Sequence, residues 1–495
     1  MQHSPGGRAP QRRQSLRRRA ALVAAAATLV LGAAAPPAPV AVGIGDRLFP
    51  HLGNPGFDIA SYDISFTYRA NNQPLDAVTR FAARATSRLE RFNLDFTHGT
   101  IGSVEVNGAR AEFAAAGEDV VVTPAQALPA GGSFSVTVHH TSDPRGEGEG
   151  GWVPTTDGLV MANQADAGHR VFPGNDHPSD KALFTFRVTA PKELTVVANG
   201  RPAGRSTEGA NTTWVYRTLH PMATELAQVA IGRSTVPQRS GPHGLQLRDV
   251  VPADDHKALD PWTAKTPSHI SWMEGKVGQY PFENYGVLIA GASTGFELET
   301  QTLSLFERDL FVKPGFPAWY IESVMVHELA HQWFGDSVSP RVWSDLWLNE
   351  GHATWYEALY ADEKAGRKLA DRMRAAYGLS DQWRADGGPP AAPKGPVPGK
   401  KISIFRPIVY DGSALVLYAL RQRIGTAAFE RLERAWVERH RDSVATTADF
   451  VALASEVSGR DQSAFLRPWL YGQKTPPMPG HPDWKTTAKG AGKPA

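Results

Sequence analysis

Residues 321–331 read IESVMVHELAH, and this stretch decides how the second half of the chain folds and what chemistry it can hold. Its apolar spacing predicts a helix that is ended by Gly335. Because residues four apart lie on one helix face, His327 and His331 can present two imidazole nitrogens to one tetrahedral metal ion. Glu328 is rotated by about 100° from His327 around the helix axis, which places its carboxylate beside the ion, where a general base belongs.

A third metal ligand is predicted within residues 347–355, which read WLNEGHATW. Catalytic zinc sites use three protein ligands and leave one coordination position for water. Glu350 lies nineteen positions after His331, at the start of a second predicted helix that can pack across the first. Glu357 shares a helix face with Glu350, and two interpretations are open: it orients a ligand histidine from behind, or it is a solvated surface acid.

The first 41 residues are predicted to be an export signal. Six arginines between Arg8 and Arg19 precede a run of small and apolar residues at 20–32, and a segment rich in Ala and Pro follows. This order is typical of a signal peptide, and Arg12 and Arg13 with the residues after them resemble a twin-arginine signal. The apolar run is too short to span a membrane. We therefore expect a secreted bacterial protein.

The charge balance argues against a nucleic-acid partner. The chain has 52 basic and 50 acidic side chains; without the six leader arginines, 52 − 6 = 46 basic groups face 50 acidic ones, a formal charge of about −4. No basic surface for nucleic acid is therefore predicted. The chain has no cysteine, which excludes disulfides, thiolate ligands and a cysteine nucleophile. Any metal must be held by histidine and carboxylate groups.

Two domains of different sequence texture are predicted after the leader, so the fold class is multidomain. Residues 46–236 contain short alternating runs separated by turn residues, which predict an antiparallel β-sandwich or saddle. Residues 237–479 show mainly helical periodicity. Residues 480–495 are polar and low in complexity, and they are predicted to be a disordered tail.

Several motifs resemble one known family. Residues 327–336, which read HELAHQWFGD, and residues 347–351, which read WLNEG, resemble the aminopeptidase N family of zinc peptidases, the gluzincin aminopeptidases. Residues 172–181 are similar to the Pro-Cys-Asp-Pro segment of the family's β domain. Residues 278–285 resemble the approach to the family's catalytic domain. The likeness extends over most of the chain after the leader.

The resemblance implies a β domain followed by a mainly helical, thermolysin-like catalytic domain that holds one Zn²⁺ per chain. It also implies hydrolysis of the amino-terminal bond of a peptide or protein with a free amino terminus. Since the chain stops soon after Tyr471, we expect a short form without the C-terminal helical domain of larger members, and with a more open cleft. The sequence carries no indication of an oligomeric state.

Three further site residues follow from the resemblance. Tyr410, in the stretch VYDGSAL, takes the place of the family's catalytic tyrosine, which stabilises the oxyanion. Glu299, within FELET at residues 296–300, takes the place of the glutamate that binds the substrate's amino terminus. The family's flanking Gly and Asn are replaced here by Phe and Thr, and Glu297 is a rival for the anchoring role. Gln164 takes the place of a second amine-binding side chain from the β domain.

Two alternatives are compatible with the same metal motif. A thermolysin-like zinc endopeptidase would use the same two histidines and glutamate, although the β-domain resemblance and the Glu299 segment argue against it. An exported binding protein could keep the metal site without turnover. Zinc stoichiometry together with an amino-acyl substrate assay separates the three functions.

Overall fold

The structure is a computed structural model that describes residues 40–146, 148–292 and 294–487. Nearly all of the predicted export signal, residues 1–41, therefore lies outside the described residues, as does the end of the predicted tail. Within the described part of the chain, no helix is both long enough and apolar enough to cross a membrane.

The amino-terminal half of the described chain is a β domain. Its strands are β1 (Phe57–Thr67), β2 (Leu75–Ala85), β3 (Phe92–Asp95), β4 (Ile101–Val106), β5 (Ala109–Ala116), β6 (Asp119–Thr123), β7 (Ser133–Ser142), β8 (Gly151–Pro154), β9 (Leu159–Ala162), β10 (Leu183–Pro191), β11 (Thr195–Ala198), β12 (Arg201–Glu208), β13 (Asn211–Arg217) and β14 (Val229–Gly232). Ten of these described strands form one sheet in the order β12-β13-β10-β1-β2-β7-β4-β5-β6-β3, and a second sheet has the order β11-β14-β9-β8. The predicted β domain is thus confirmed, and its strands pair antiparallel except for the parallel pair β1 and β10.

Alternation of apolar and polar side chains explains the large sheet. In β1, Tyr62, Ile64 and Phe66 are each at most 2% exposed, whereas Asp63 between them is partly exposed. Consecutive side chains in a strand point to opposite faces, so this pattern buries one face of the sheet. Tyr62 stacks on Phe184 of β10 with ring centroids 4.8 Å apart. Each such buried side chain stabilises the fold by roughly 1.5–3 kcal/mol relative to exposure.

The second half is mainly helical, as predicted. Its helices are α1 (His256–Thr263), α2 (Thr266–Val277), α3 (Arg308–Val312), α4 (Ala318–Ala330), α5 (Trp347–Ala365), α6 (Leu369–Gly387), α7 (Asp411–Ile424), α8 (Thr426–Arg439), α9 (Thr447–Ser458) and α10 (Ser463–Tyr471). Its short strands are β15 (Ser234–Thr235), β16 (Gln238–Ser240), β17 (Gln246–Arg248), β18 (Val251–Pro252), β19 (Asn284–Tyr285), β20 (Val287–Ala290), β21 (Ser304–Glu307), β22 (Val338–Pro340) and β23 (Ser443–Ala445).

Helix α5 lies at the centre of this half and packs against both α4 and α7. Its side chains are buried on nearly every face from Trp347 to Ala361. A helix that is buried all round belongs inside a core rather than on a surface. The Trp347 indole is fully buried and donates a hydrogen bond to Thr447 Oγ1 at 2.7 Å. This packing fixes the start of α5, from which Glu350 projects.

The end of α4 differs from the sequence prediction. The helix ends at Ala330, well before Gly335. Beyond it, the Asp336 N–H donates to the carbonyl of His331 at 3.0 Å, so the turn is wider than a helical one. His331 itself keeps helical dihedrals of −56° and −28°. The four-residue relation between His327 and His331 is therefore preserved, although the second histidine caps the helix instead of lying inside it.

Residues 480–487 are ordered, so the prediction of a disordered tail is wrong for this first part. Trp484 is 6% exposed and stacks on Tyr418 of α7 with ring centroids 5.8 Å apart. The Tyr418 hydroxyl also lies 2.9 Å from His481 Nε2. One indole in a polar segment buries enough apolar surface to order the residues around it.

Asp46 joins the amino-terminal segment to both halves. Its Oδ2 lies 3.3 Å from His177 Nε2 of the β domain and accepts a 2.7 Å hydrogen bond from the Trp343 N–H, just before α5. Its Oδ1 accepts from the N–H groups of Leu48 and Phe49 at 2.7 and 3.2 Å. A single buried carboxylate therefore satisfies donors from three separate parts of the chain.

Replacing Asp46 by Asn should lower the free energy of unfolding at neutral pH by about 1–3 kcal/mol, because hydrogen bonds to a charged acceptor are lost. Burial by itself would raise the pKa of Asp46, but the hydrogen bonds from His177 and Trp343 outweigh this effect and lower the pKa from 3.8. Its contribution is therefore present above pH 3.8 and is lost as the pH falls through the lower folded-state pKa. Urea midpoints of the two proteins should differ at about pH 7, and the gap should close at an acidic pH below the folded-state pKa of Asp46. An equal gap at both pH values would contradict this origin.

Candidate active site

Helices α4 and α5 bring three predicted metal ligands together. His327 Nε2 and His331 Nε2 lie 3.3 and 3.5 Å from Glu350 Oε2. For ligands at about 2.0–2.1 Å from a tetrahedral ion, neighbouring ligand atoms lie roughly 3.3–3.4 Å apart. All three side chains are buried, and Glu350 Oε2 accepts no hydrogen bond from the described residues. A buried carboxylate oxygen without a partner, facing two imidazoles at tetrahedral spacing, fits a metal ion of the zinc type.

The other nitrogen of each imidazole has a partner that fixes the ring. His327 Nδ1 lies 3.1 Å from Glu357 Oε2, and His331 Nδ1 lies 3.1 Å from the Phe334 carbonyl. Both Nε2 atoms are thereby directed to the metal position. Glu357 is 9% exposed, so the structure places it behind a ligand histidine rather than in solvent. Although burial opposes ionisation, the charges of Arg372 and His327 lower the pKa of Glu357 to about 2.

Glu328 and Tyr410 flank the three ligands. Glu328 is 6% exposed, and burial raises its pKa to about 8. Tyr410 immediately precedes α7, and its ring centroid lies 6.0 Å from that of His327. Burial, and then the charge of Glu350, raise the pKa of Tyr410 well above 10.0, so its phenol keeps its proton and can donate a hydrogen bond.

Glu299 and Gln164 meet at one side of the metal position. The Gln164 amide donates a 2.6 Å hydrogen bond to Glu299 Oε1, across 135 residues of sequence. Glu299 is 3% exposed, and its Oε1 lies 3.9 Å from His331 Nδ1. Gln332 holds the strand-like segment in place, because its amide donates to the Glu299 carbonyl at 3.1 Å. The rival Glu297 is less buried, and burial raises its pKa to about 7.

Glu225 is a site residue that sequence reasoning missed. It lies in a short 3₁₀ turn, residues 224–226, and is 2% exposed. Burial, and then the charge of Glu299, raise its pKa well above 4.5, while a hydrogen bond from Gln164 opposes that rise. Its Oε2 has no hydrogen-bond partner among the described residues. No motif surrounds Glu225 in the sequence, so only the folded chain brings it beside Gln164.

A second buried cluster can be distinguished from the metal site. His169 Nδ1 lies 2.7 Å from Asp176 Oδ2 and 3.5 Å from Asp166 Oδ1. The shorter distance is that of a charge-assisted hydrogen bond, not of two ligands around a tetrahedral ion. Although burial opposes the charge, Asp176 raises the pKa of His169 to about 9. The contact between His169 and Asp176 therefore has the geometry of an ion pair.

Comparison with known proteins gives consistent matches. Residues 265–469 match the peptidase family M1 domain. The chain is 26% identical over 399 residues to aminopeptidase N of Streptomyces lividans, covering 76% of this chain and 46% of that protein. It is 25% identical over 313 residues to mouse glutamyl aminopeptidase, covering 60% of this chain and 33% of that protein. The chain thus spans less than half the length of these curated relatives.

Solved structures match over more of the chain. An M1 zinc metallopeptidase from Deinococcus radiodurans superposes with a TM-score of 0.74 at 27% identity, covering 88% of this chain and 99% of that chain. A mutant of an M1 zinc metallopeptidase from the same organism, bound to a Tyr-Ser-Ala substrate, gives a TM-score of 0.75 at 26% identity over the same shares.

The fold and the site resemble those of two-domain M1 zinc metallopeptidases, because a β domain precedes a helical domain with two histidines at the end of one helix and a glutamate from the next helix. The family match and the structural matches agree with this architecture. Residues 265–469 match the peptidase family M1 domain, and the chain is similar to aminopeptidase N over 76% of its length.

Replacing Glu350 by Ala should abolish metal retention, because the two histidines alone leave the ion without its charged ligand. The unchanged protein should retain about one equivalent of metal, measured by elemental analysis after dialysis. Asp166→Asn, in the second cluster, is the matched control and should retain the same amount. Two equivalents in the unchanged protein, or full retention by Glu350→Ala, would show that the ion is held elsewhere.

Proposed function

We propose that the protein is a zinc-dependent aminopeptidase that removes single residues from peptides or proteins with a free amino terminus. The observation that carries the proposal is the contact of the partly buried Gln164 with the buried Glu299, whose Oε1 lies 3.9 Å from Nδ1 of the metal ligand His331. A buried carboxylate needs a cation or hydrogen-bond donors to balance its charge. The ammonium group of a peptide's amino terminus supplies both.

Each residue of the site has a separate role in peptide hydrolysis. When bound by the two histidines and Glu350, zinc supplies a Lewis acid that activates water and polarises the scissile carbonyl. Glu328 takes the proton from the attacking water and returns it to the leaving amine. The Tyr410 phenol donates a hydrogen bond to the oxyanion of the tetrahedral intermediate. Glu299 and Gln164 hold the amino terminus, which sets the distance from the chain end to the cleaved bond.

The pair of Glu299 and Gln164, which would anchor the amino terminus, favours cleavage at a chain end over internal cleavage. Gln164 already donates to Glu299 Oε1, so the Gln164 carbonyl oxygen and Glu299 Oε2 are left to accept from an ammonium group. Glu225 adds a second buried carboxyl group beside them. The backbone of an internal peptide segment carries no ammonium group that could bind to Glu299 and Gln164. The names of the relatives, which are aminopeptidases, support the same choice over a thermolysin-like endopeptidase.

A non-catalytic binding protein is less consistent with the site. The ligands, the acid Glu328 and the donor Tyr410 are all present around one position. The Tyr-Ser-Ala substrate in the related Deinococcus structure is a short peptide, which supports peptides as the substrate class of this chain.

Amino-acyl chromogenic substrates should be cleaved when the amine is free, and acetylation of the amine should reduce kcat/KM by about 10²-fold or more, because a charged contact of roughly 3 kcal/mol is lost. Glu299→Gln should mainly raise KM for the free amine. Glu328→Gln is the control against a contaminating peptidase: it should lower kcat by about 10²–10⁴ and keep the metal. Equal cleavage of free and acetylated substrates would refute the anchor.

Export is a further proposal, supported by the basic, apolar and small-residue order of residues 1–41. A bacterial host that makes the full chain should release a shortened protein into the medium, and amino-terminal sequencing should find a start near the end of this segment. Replacing Arg12 and Arg13 by Lys should block release if the twin-arginine route is used. A protein kept in the cell with residues 1–41 intact would contradict export.

A further inference from the structure

Arg372, on α6, contacts two carboxylates at once. Its Nη1 donates to Glu357 Oε1 at 2.7 Å, and its Nη2 lies 3.4 Å from Glu357 Oε2. Its Nε donates to Asp411 Oδ1 at 2.7 Å. The guanidinium thus uses its Nη groups for one acid and its Nε for the other. A lysine ammonium is a point charge and cannot reproduce both contacts in one plane.

The two acids are connected to different parts of the active site. Glu357, on α5, uses Oε2 to contact His327 Nδ1 at 3.1 Å. Asp411 is the first residue of α7 and directly follows Tyr410. Asp411 Oδ1 accepts its hydrogen bond from Arg372 at the first turn of this helix. A continuous path therefore runs from the metal-ligand histidine through Glu357, Arg372 and Asp411 to the residue that carries the phenol.

We propose that Arg372 is a positioning residue that holds Glu357 against His327 and, through Asp411, holds the Tyr410 phenol over the metal position. The inference rests on the proposed function, because it assigns Tyr410 to the reaction. Glu357 needs a balancing cation, since a buried carboxylate without one costs several kcal/mol. Arg372 provides that cation and ties it to α7. A displacement of the phenol by about 1 Å can cost roughly 10²-fold in rate.

A cavity beside the pair makes the inference testable by chemical rescue. Arg372 and Glu357 line a cavity of about 470 Å³ together with Trp319 and Tyr320. In an Arg372→Ala variant, a guanidinium ion can enter from this cavity and occupy the place of the lost group. Rescue of this kind reports on the guanidinium itself and not on general stability of the fold.

The effects of removing Arg372 should separate into two measurable parts. Arg372→Ala should lower kcat by about 10–10²-fold and weaken metal retention by about 10-fold or more, while KM stays nearly constant. Millimolar guanidinium chloride should restore part of kcat, and sodium chloride at the same concentration should not. Arg374→Gln is the matched control: Arg374 is on the same helix, 62% exposed, and pairs with Asp483 at 3.6 Å. It should behave like the unchanged protein.

Single contacts can be removed in case Arg372→Ala does not fold. Asp411→Asn should lower kcat and keep metal affinity, whereas Glu357→Gln should mainly weaken metal affinity. In a Tyr410→Phe background, the kcat cost of Asp411→Asn should largely disappear, because both changes act on the same phenol. Additive kcat effects, or a folded Arg372→Ala that guanidinium does not rescue, would overturn the inference. If the unchanged protein cleaves no amino-acyl substrate, the proposed function is wrong. In that case, metal retention by Arg372→Ala and Glu357→Gln still tests whether Arg372 positions Glu357 against His327.

Discussion

The structure depends on the convergence of two imidazoles and one carboxylate at the crossing of α4 and α5. Three ligand atoms must come within about 3.4 Å of one another, in a place from which water is largely excluded. The packing of α5 against α4 and α7 achieves this, because the helix is buried along most of its length. The same burial makes each charge in the site costly unless it has a partner. Several polar contacts around the site provide such partners.

These partners form two layers around the metal position. Glu357 and the Phe334 carbonyl fix the two imidazole rings, and Arg372 balances Glu357 in turn. On the opposite side the β domain contributes Gln164, which meets Glu299 of the catalytic half. Neither half builds this pair alone. The joint between the halves is therefore part of the site, and Asp46 is one of the contacts that fixes it.

The sequence predicted the parts of the site that depend on local periodicity. His327, Glu328 and His331 follow from helical spacing, and Glu350 from a second helix at a suitable distance. The assignments of Tyr410, Glu299 and Gln164 needed a family resemblance, since no local pattern links residues that are 135 positions apart. Arg372 and Glu225 could not be predicted, because their partners are chosen by tertiary packing. The same reason explains the ordered Trp484 in a segment of polar composition.

X-ray absorption spectroscopy of the zinc-loaded protein can test whether two imidazoles and one carboxylate bind the ion, because it measures the coordination of the ion itself. We expect about four nitrogen or oxygen neighbours at roughly 2.0–2.1 Å, with outer-shell scattering from two imidazole rings. A shell of about six oxygens, or scattering from a different number of imidazoles, would contradict a site built from His327, His331 and Glu350.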